Sequence, residues 1–198
     1  MTSDELKRRM ATMAAANAEL ATLRDTRQWP VIEEKLRCAL ALVTERDRDL
    51  LEDGRNERAV AHRLAVYLED QFQGWHIHCE FNRQGSTNGP EDERSRKQIS
   101  AEPPLLPPSE EGGVWALVDP DIIVHRRRTK LNLLVIEVKP ASSAGIKRDK
   151  AKLMKYLTDE HLGYTFAVLV TYRIGADAGF EALFRVQEKP LETRSETK

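Results

Sequence analysis

Two acidic side chains and one lysine stand at the ends of two apolar segments, where a buried strand does not normally carry charge. Asp121 opens the segment Asp-Ile-Ile-Val, and Glu137 and Lys139 close the segment Leu-Leu-Val-Ile-Glu-Val-Lys. Burying an unpaired carboxylate is costly, so such a group usually pairs with a cation or binds a metal ion. Two carboxylates and one ammonium at strand ends therefore predict a site for a hard divalent cation.

The second of these segments indicates a buried central strand. Its residues are apolar on both faces, whereas a solvated edge strand would alternate between apolar and polar residues. Residues two apart in a strand point to the same side, so Glu137 and Lys139 share a face. A lone Glu-x-Lys on a wet strand would be an ordinary surface ion pair. The buried strand and the nearby Asp121 segment, joined to it by a short polar turn, favour a functional site.

A third carboxylate lies at the start of a predicted helix that runs from about Asn56 to Gln73, with Asn56 as its N-cap. The apolar stripe of this helix consists of Val60, Leu64, Leu68 and Phe72. Glu57 lies one turn before Val60 on the same stripe. It is either a first-turn acid that complements the helix dipole or a carboxylate directed inward along the core face.

Helices are also predicted upstream, over an N-terminal extension of residues 1–54. Residues 3–27 carry an apolar seam in 4-3-4-3 spacing, formed by Leu6, Met10, Met13, Asn17 and Leu20. Such a seam suits a homodimer formed through this helix and equally a helix docked on its own domain. A second amphipathic helix is expected from Pro30 through Val43, ending near Gly54.

Strict alternation from Trp75 to Asn82 predicts a half-buried strand, and a long irregular segment follows it. The polar face of the strand carries His76, His78 and Glu80, which is either a solvated face or a transition-metal site. Residues 84–113 contain five prolines and four glycines without periodicity. We interpret them as a loop that is either a lid or substrate-contact loop or a mobile insertion.

The C-terminal part of the chain predicts a helix, a strand and a second helix. The first helix is expected over Ile146–His161, with its lysines, Lys152 among them, on the exposed surface. The β-branched run Thr165–Tyr172 predicts a buried strand. Ala176–Arg185 is expected to be a short helix, and residues 187–198 a polar tail.

Composition limits the possible functions of the chain but does not identify one. The chain has 198 residues, 40% of them hydrophobic and 32% charged, which suits one globular domain of residues 55–186 with appendages. The net charge of −1 gives no global attraction to polyanions. No apolar run approaches a membrane span, and Cys38 and Cys79 show no metal or disulfide spacing, so a reducing cytoplasm is expected.

Pro120-Asp121 followed by Glu137-Val138-Lys139 resembles the PD-(D/E)XK motif of the restriction-endonuclease-like nuclease superfamily. The predicted order of helix, strand, strand, strand, helix, strand is similar to the αβββαβ core of that superfamily and covers about Asn56 to Tyr172. The resemblance implies an α/β fold with a mixed four-stranded central sheet, to which the N-terminal helices are added. It also implies a metal-dependent endonuclease, with DNA favoured over RNA.

The resemblance also implies roles for individual residues. Asp121 and Glu137 would be the metal-binding carboxylates, with the backbone carbonyl of Val138 as a further ligand. Lys139 would be the catalytic lysine, and Glu57 the acidic residue supplied by the first core helix. Asp119 is a rival for the position of Asp121. The expected cofactor is Mg²⁺, with Mn²⁺ as a substitute, since carboxylate and carbonyl oxygens suit these ions.

Basic residues near the charged strands are candidates for contacts with phosphate groups. They are Arg126, Arg127, Arg128 and Lys130 in the polar turn and Lys147 and Arg148 on the following helix. We expect them to flank the site and to bind nucleic acid, although a solvated turn and helix surface would look the same. An alternative function is a nucleic-acid-binding or assembly subunit whose chemistry is slow or needs a partner.

Overall fold

The computed structural model describes residues 25–54, 56–79, 119–127, 129–159 and 162–187, together with the backbone of residues 98–100 and 115–117. The expected N-terminal seam of residues 6–20 and the C-terminal tail from residue 188 lie outside the described residues. The dimer predicted through the N-terminal helix therefore stays a prediction.

The described chain contains four α-helices and seven strands. The helices are α1 (Trp29–Arg46), α2 (Arg48–Asp53), α3 (Glu57–Gln71) and α4 (Ile146–Thr158), with a 3₁₀ turn over Thr26–Gln28 before α1. The strands are β1 (His76–Cys79), β2 (Gln98–Ser100), β3 (Trp115–Leu117), β4 (Ile122–His125), β5 (Asn132–Pro140), β6 (Tyr164–Arg173) and β7 (Gly179–Val186).

Five of these strands form one mixed sheet in the order β1-β4-β5-β6-β7. β5 and β6 are parallel and are connected through α4, and the other three pairs are antiparallel. The predicted α/β class is therefore confirmed, and β5 is a central strand as its two apolar faces indicated. The expected number of four strands is wrong, because β7 adds a fifth.

The fifth strand replaces the short helix predicted over Ala176–Arg185. Residues Gly179–Val186 instead pair antiparallel with β6, with Val170 opposite Leu183. The spacing of Phe180, Leu183 and Phe184 is that of a helix face. However, the free edge of β6 supplies a ladder of backbone hydrogen bonds that the local pattern does not reveal, and such tertiary pairing overrides local propensity.

The second predicted helix is also divided, at Asp47, into α1 and α2. The Asp47 carboxylate accepts hydrogen bonds from Arg63 Nε at 2.9 Å and from Tyr67 Oη at 2.7 Å. Both partners belong to α3, so this network fixes the break between α1 and α2 against the helix that carries Glu57. The expected end near Gly54 is confirmed, and that residue has the left-handed φ of 62° that glycine permits.

Three residues of the segment expected to be a loop form a strand. Within residues 84–113, Gln98–Ser100 form β2, which pairs antiparallel with β3 as a separate two-stranded sheet. The rest of that segment lies outside the described residues, so its role as a lid or an insertion is still a prediction. Among the described residues, no helix is both long enough and apolar enough to cross a bilayer.

The sheet separates two layers of apolar side chains. One layer packs against α1 and α3 and includes Ile122 and Ile136, and the other packs against α4 and includes Ile123 and Val135. Because successive side chains of a strand alternate between faces, odd-numbered residues at this end of β4 and β5 belong to the α4 face. The α4 face is therefore where the charged residues of these strands are expected.

Asn56 caps α3 as predicted, since its Oδ1 accepts a hydrogen bond from Ala59 N at 3.1 Å. We expect Asn56→Ala to lower the free energy of unfolding by about 1 kcal/mol, because that backbone N–H loses its partner. Asn56→Asp keeps an acceptor oxygen and should retain most of the stability. Urea unfolding of the three proteins checks this, and equal midpoints for wild type and Asn56→Ala would contradict it.

Candidate active site

Asp121 directly precedes β4 and lies near Glu137 of the neighbouring strand β5. Ile122 pairs with Ile136 in the antiparallel ladder, so the next position outward places Asp121 beside Glu137. The backbone N–H of Val138 donates a 2.8 Å hydrogen bond to Asp121 Oδ2, which fixes this carboxylate at the strand end. The charge of Asp121 acts on the Glu137 carboxyl, so the two groups are neighbours, and their sharing of one cation is still a prediction.

Glu137 is the most deeply buried acid of this group, with 1% of its surface exposed. Burial raises its pKa from the ordinary value of 4.5 to about 8, although the positive charge of Lys152 opposes the shift and the negative charge of Asp121 adds to it. Lys152 Nζ lies 2.7 Å from Glu137 Oε1. The angle between the Lys152 ammonium and this carboxylate does not suit a hydrogen bond. Among the described residues, Glu137 Oε1 therefore has an ion-pair partner but no aligned hydrogen-bond donor.

Lys139 connects Asp121 to α3. Its Nζ donates a short hydrogen bond to Glu57 Oε1 and lies 3.8 Å from Asp121 Oδ2. Burial alone would lower the pKa of Lys139, but the hydrogen bond to Glu57 and the charge of Asp121 outweigh it and hold the pKa above its ordinary value. Lys139 is therefore an ammonium here, and Glu57 is directed inward in addition to opening the helix.

Two further residues of α4 belong to the site and were not predicted. Lys152, expected on the exposed surface, has only 19% of its side chain exposed, because it reaches Glu137 and also donates to the Asp119 carbonyl at 3.0 Å. Asp149 is buried beside the two lysines. The buried face of the helix carries Asp149, Leu153 and Tyr156. Extending the apolar face from Leu153 back by one turn would have identified this acid from the sequence.

Asp119, the rival of Asp121, is less suited to the metal role. Its side chain is exposed, and its contact with the site is made through the backbone carbonyl that accepts from Lys152. Asp121 is partly buried and is held by Val138 and Lys139. The arrangement of these contacts favours Asp121.

The charge and atoms of the site suit one hard divalent cation. Four acids surround two lysines, so with every group ionised the cluster carries two excess negative charges; it consists of Glu57, Asp121, Glu137, Asp149, Lys139 and Lys152. Two buried carboxylate oxygens, Glu137 Oε1 and Asp149 Oδ2, have no aligned hydrogen-bond donor among the described residues. Oxygen ligands of this kind are those that Mg²⁺ prefers.

The arrangement does not amount to a complete metal cage. Across the described ranges, no three or more His, Cys, Asp or Glu side chains are grouped so as to hold a metal ion. Mg²⁺ commonly binds to one or two carboxylates and keeps several waters, so a site built on Asp121 and Glu137 agrees with this finding. The expected ligation by the Val138 carbonyl stays a prediction, as does ligation by Glu57, whose oxygen instead contacts Lys139.

The predicted basic residues fall into two groups at different places. Lys147 and Arg148 are exposed in the first turn of α4, which follows the charged end of β5 directly. The polar turn lies at the opposite end of β4, a strand of four residues or roughly 13 Å. The expectation that Arg126, Arg127 and Lys130 flank the site is therefore wrong, because Asp121 directly precedes β4 and the turn follows its last residue; their binding to nucleic acid stays a prediction. Arg128 itself is outside the described residues.

The histidines of β1 contact His125 of β4 and Arg127 of that turn. His78 Nδ1 lies 2.7 Å from His125 Nε2, and Arg127 Nε donates to His78 Nε2 at 3.1 Å. An arginine can only donate, so His78 Nε2 accepts and Nδ1 carries the proton. Neither nitrogen of His78 then has a lone pair left for a metal, which disfavours the transition-metal interpretation with His76 and Glu80; Glu80 itself is not described.

Comparison of the chain with protein-family models, with curated proteins and with solved structures found no match.

Proposed function

We propose that this protein is a divalent-metal-dependent nuclease that hydrolyses phosphodiester bonds, with DNA as its substrate. The observation that carries the proposal is the charged cluster at this end of the sheet, where Asp121 lies 3.8 Å from Lys139 and Lys152 contacts the buried Glu137. Burying charged side chains at the end of a central strand is costly unless they are paired or bind a metal ion. The order of α3, β1, β4, β5, α4 and β6 supports the resemblance to the PD-(D/E)XK core.

Asp121, Glu137 and the Val138 carbonyl would hold Mg²⁺, which when bound supplies a Lewis acid and an oriented water. Lys139, as an ammonium, places a fixed positive charge against the phosphate oxygens, where negative charge grows during the reaction. Glu57 holds this ammonium in place through its hydrogen bond. Lys152 acts as a positioning residue, because its contact with Glu137 limits where that carboxylate can lie.

A second candidate function is a nucleic-acid-binding or assembly subunit, and one observation favours it. Glu57 and Glu137 each contact a lysine, Lys139 and Lys152 respectively, so these acids have charge partners without any metal. In a binding subunit the same residues would be a buried network of ion pairs. The two functions differ in whether phosphodiester bonds are cut.

The experiment that separates them is a cleavage assay on a broad panel of substrates. Supercoiled, linear, single-stranded and branched DNA, and RNA, are incubated with the purified protein and Mg²⁺, Mn²⁺ or EDTA. We expect at least one DNA substrate to be cut with either metal and none to be cut in EDTA. Binding of nucleic acid without cleavage of any substrate would reject the nuclease in favour of the binding subunit. Glu137→Ala, run in parallel, identifies a contaminating nuclease, since contaminating activity would persist in that preparation.

A further inference from the structure

A cavity of about 190 Å³ opens beside Asp121, on the side of the sheet covered by α3. It is lined by Arg58, Ala61, His62, Cys79 and Asp121. No role proposed above uses Arg58, His62 or Cys79. Asp121, which directly precedes β4 at the end of the sheet, belongs to both the cavity and the candidate active site, so the two adjoin.

The helix and the strand end explain why the cavity has this lining. Arg58, Ala61 and His62 are spaced i, i+3 and i+4, so they share one face of α3. Ala61 is 4% exposed and seats the helix on the core, while its small side chain leaves room between its two larger neighbours. Cys79 pairs with Ile122 and closes the cavity at the end of β1.

We propose that Arg58 and His62 bind a phosphate group of the nucleic acid next to the phosphate that is cut. This inference depends on the proposed function and adds the path of the substrate, from the metal-binding carboxylates across the first half of α3. A guanidinium presents paired N–H donors that match phosphate oxygens, and an imidazole N–H can add another. A buried water occupies about 30 Å³, so the cavity has room for a phosphate group and a few waters.

The acid in the lining does not oppose this assignment. Asp121 Oδ2 already accepts from Val138 N and lies 3.8 Å from Lys139 Nζ, so its charge is directed toward the strand ends. Arg58 and His62 line the cavity and are both exposed. A phosphate there would face the two donors.

Two sources can supply this phosphate, and they share its chemistry: an internal phosphodiester of a continuous strand, or the monoester at the end of a strand. Fluorescent oligonucleotides of one sequence, with a 5′-phosphate or a 5′-hydroxyl, distinguish them. An internal phosphodiester predicts equal losses on both oligonucleotides when Arg58 is removed. A terminal monoester predicts a loss on the phosphorylated one alone.

The test measures binding by fluorescence anisotropy at several salt concentrations, with Ca²⁺ in place of Mg²⁺ and intact oligonucleotide verified on a gel. Arg58→Ala is expected to weaken binding about 3- to 10-fold and to reduce the slope of log K against log salt by about 0.7 to 0.9, as for one lost phosphate contact. Arg58→Lys should restore the slope, and His62→Ala should weaken binding further. Arg37→Ala is the matched control, since Arg37 is exposed on α1 and pairs with Glu33.

The outcomes separate this inference from the proposed function. Binding and salt slope of Arg58→Ala equal to those of Arg37→Ala would overturn the phosphate site, even if the wild type cuts DNA. A reduced slope in Arg58→Ala that Arg58→Lys restores would support it, even if the wild type cuts nothing. Unfolding curves of each variant identify a loss of binding that comes from misfolding. In that case the folded fraction would keep the wild-type salt slope, and this result would count against the phosphate site.

Discussion

Replacing Lys139 by alanine is expected to reduce the rate of phosphodiester cleavage about 10²- to 10³-fold while the protein remains folded. The ammonium between Glu57 and Asp121 is the cation of β5 at the site, and removing one group that stabilises transition-state charge typically has an effect of this size. Single-turnover rates in saturating Mg²⁺, on a substrate that the wild type cuts, measure the change.

Two further variants define the role of Lys139. Lys139→Arg keeps a positive charge and should retain more activity than the alanine variant, because the proposed role is that of a fixed cation. Lys150→Ala is the control on α4, since Lys150 is half-buried and its Nζ lies 4.1 Å from the centre of the Phe184 ring of β7. If Lys139→Ala cuts as fast as Lys150→Ala, the assignment of Lys139 is wrong.

The second large effect concerns stability and pH. Without metal, the free energy of unfolding is expected to fall as the pH rises from about 5 to about 8. The Glu137 carboxyl loses its proton near pH 4.5 in the unfolded chain and near pH 8 in the folded protein, so between these values the folded state binds more protons. The stabilisation is complete below the lower value and is lost as the pH passes the higher one.

Glu137→Gln isolates this contribution, because glutamine resembles the protonated acid and does not titrate. Urea unfolding at pH 5, 6, 7 and 8 should show a decline for the wild type that is steeper than that of Glu137→Gln by roughly 2 to 4 kcal/mol over the range. All other titratable groups are the same in both proteins, so the difference between the two curves reports Glu137 and the groups coupled to it. Parallel curves for the two proteins would mean that Glu137 is ionised in the folded state at neutral pH.

Features of the fold that local sequence encodes were predictable. Asn56 has the side chain that caps a helix, and it does cap α3. The two-sided apolar character of β5 follows from its residues, and a buried central strand is what the structure contains. Because residues two apart share a face and hairpin strands pair in register, Asp121, Glu137 and Lys139 could be placed together before any coordinates.

Features that depend on a distant partner were not predictable in the same way. The segment that forms β7 has helical spacing, and only the free edge of β6 makes it a strand. The break at Asp47 depends on Arg63 and Tyr67, which belong to another helix. Lys152 looks like one of several surface lysines, and its contact with Glu137 depends on how α4 packs against β5.

The prediction that the basic turn flanks the site failed for a different reason. Asp121 directly precedes β4 and the turn follows the end of that strand, so hairpin geometry already separates them by the length of β4. Lys147 and Arg148 are on the correct side because α4 begins just beyond the charged end of β5. The direction of a strand therefore matters as much as sequence proximity when a turn is assigned to a site.

The central position of β5 has a consequence for the protein during its synthesis. A nascent chain that has emerged as far as Lys139 already carries Glu57, Asp121, Glu137 and Lys139, but β6 has not yet been made and one edge of β5 has no partner. β5 and β6 pair across the α4 crossover, with Asn132 opposite Tyr164, and this separation in the chain delays their pairing. A ribosome-bound chain is therefore expected to hold every proposed catalytic residue and yet be unable to cut nucleic acid until β6 completes the sheet.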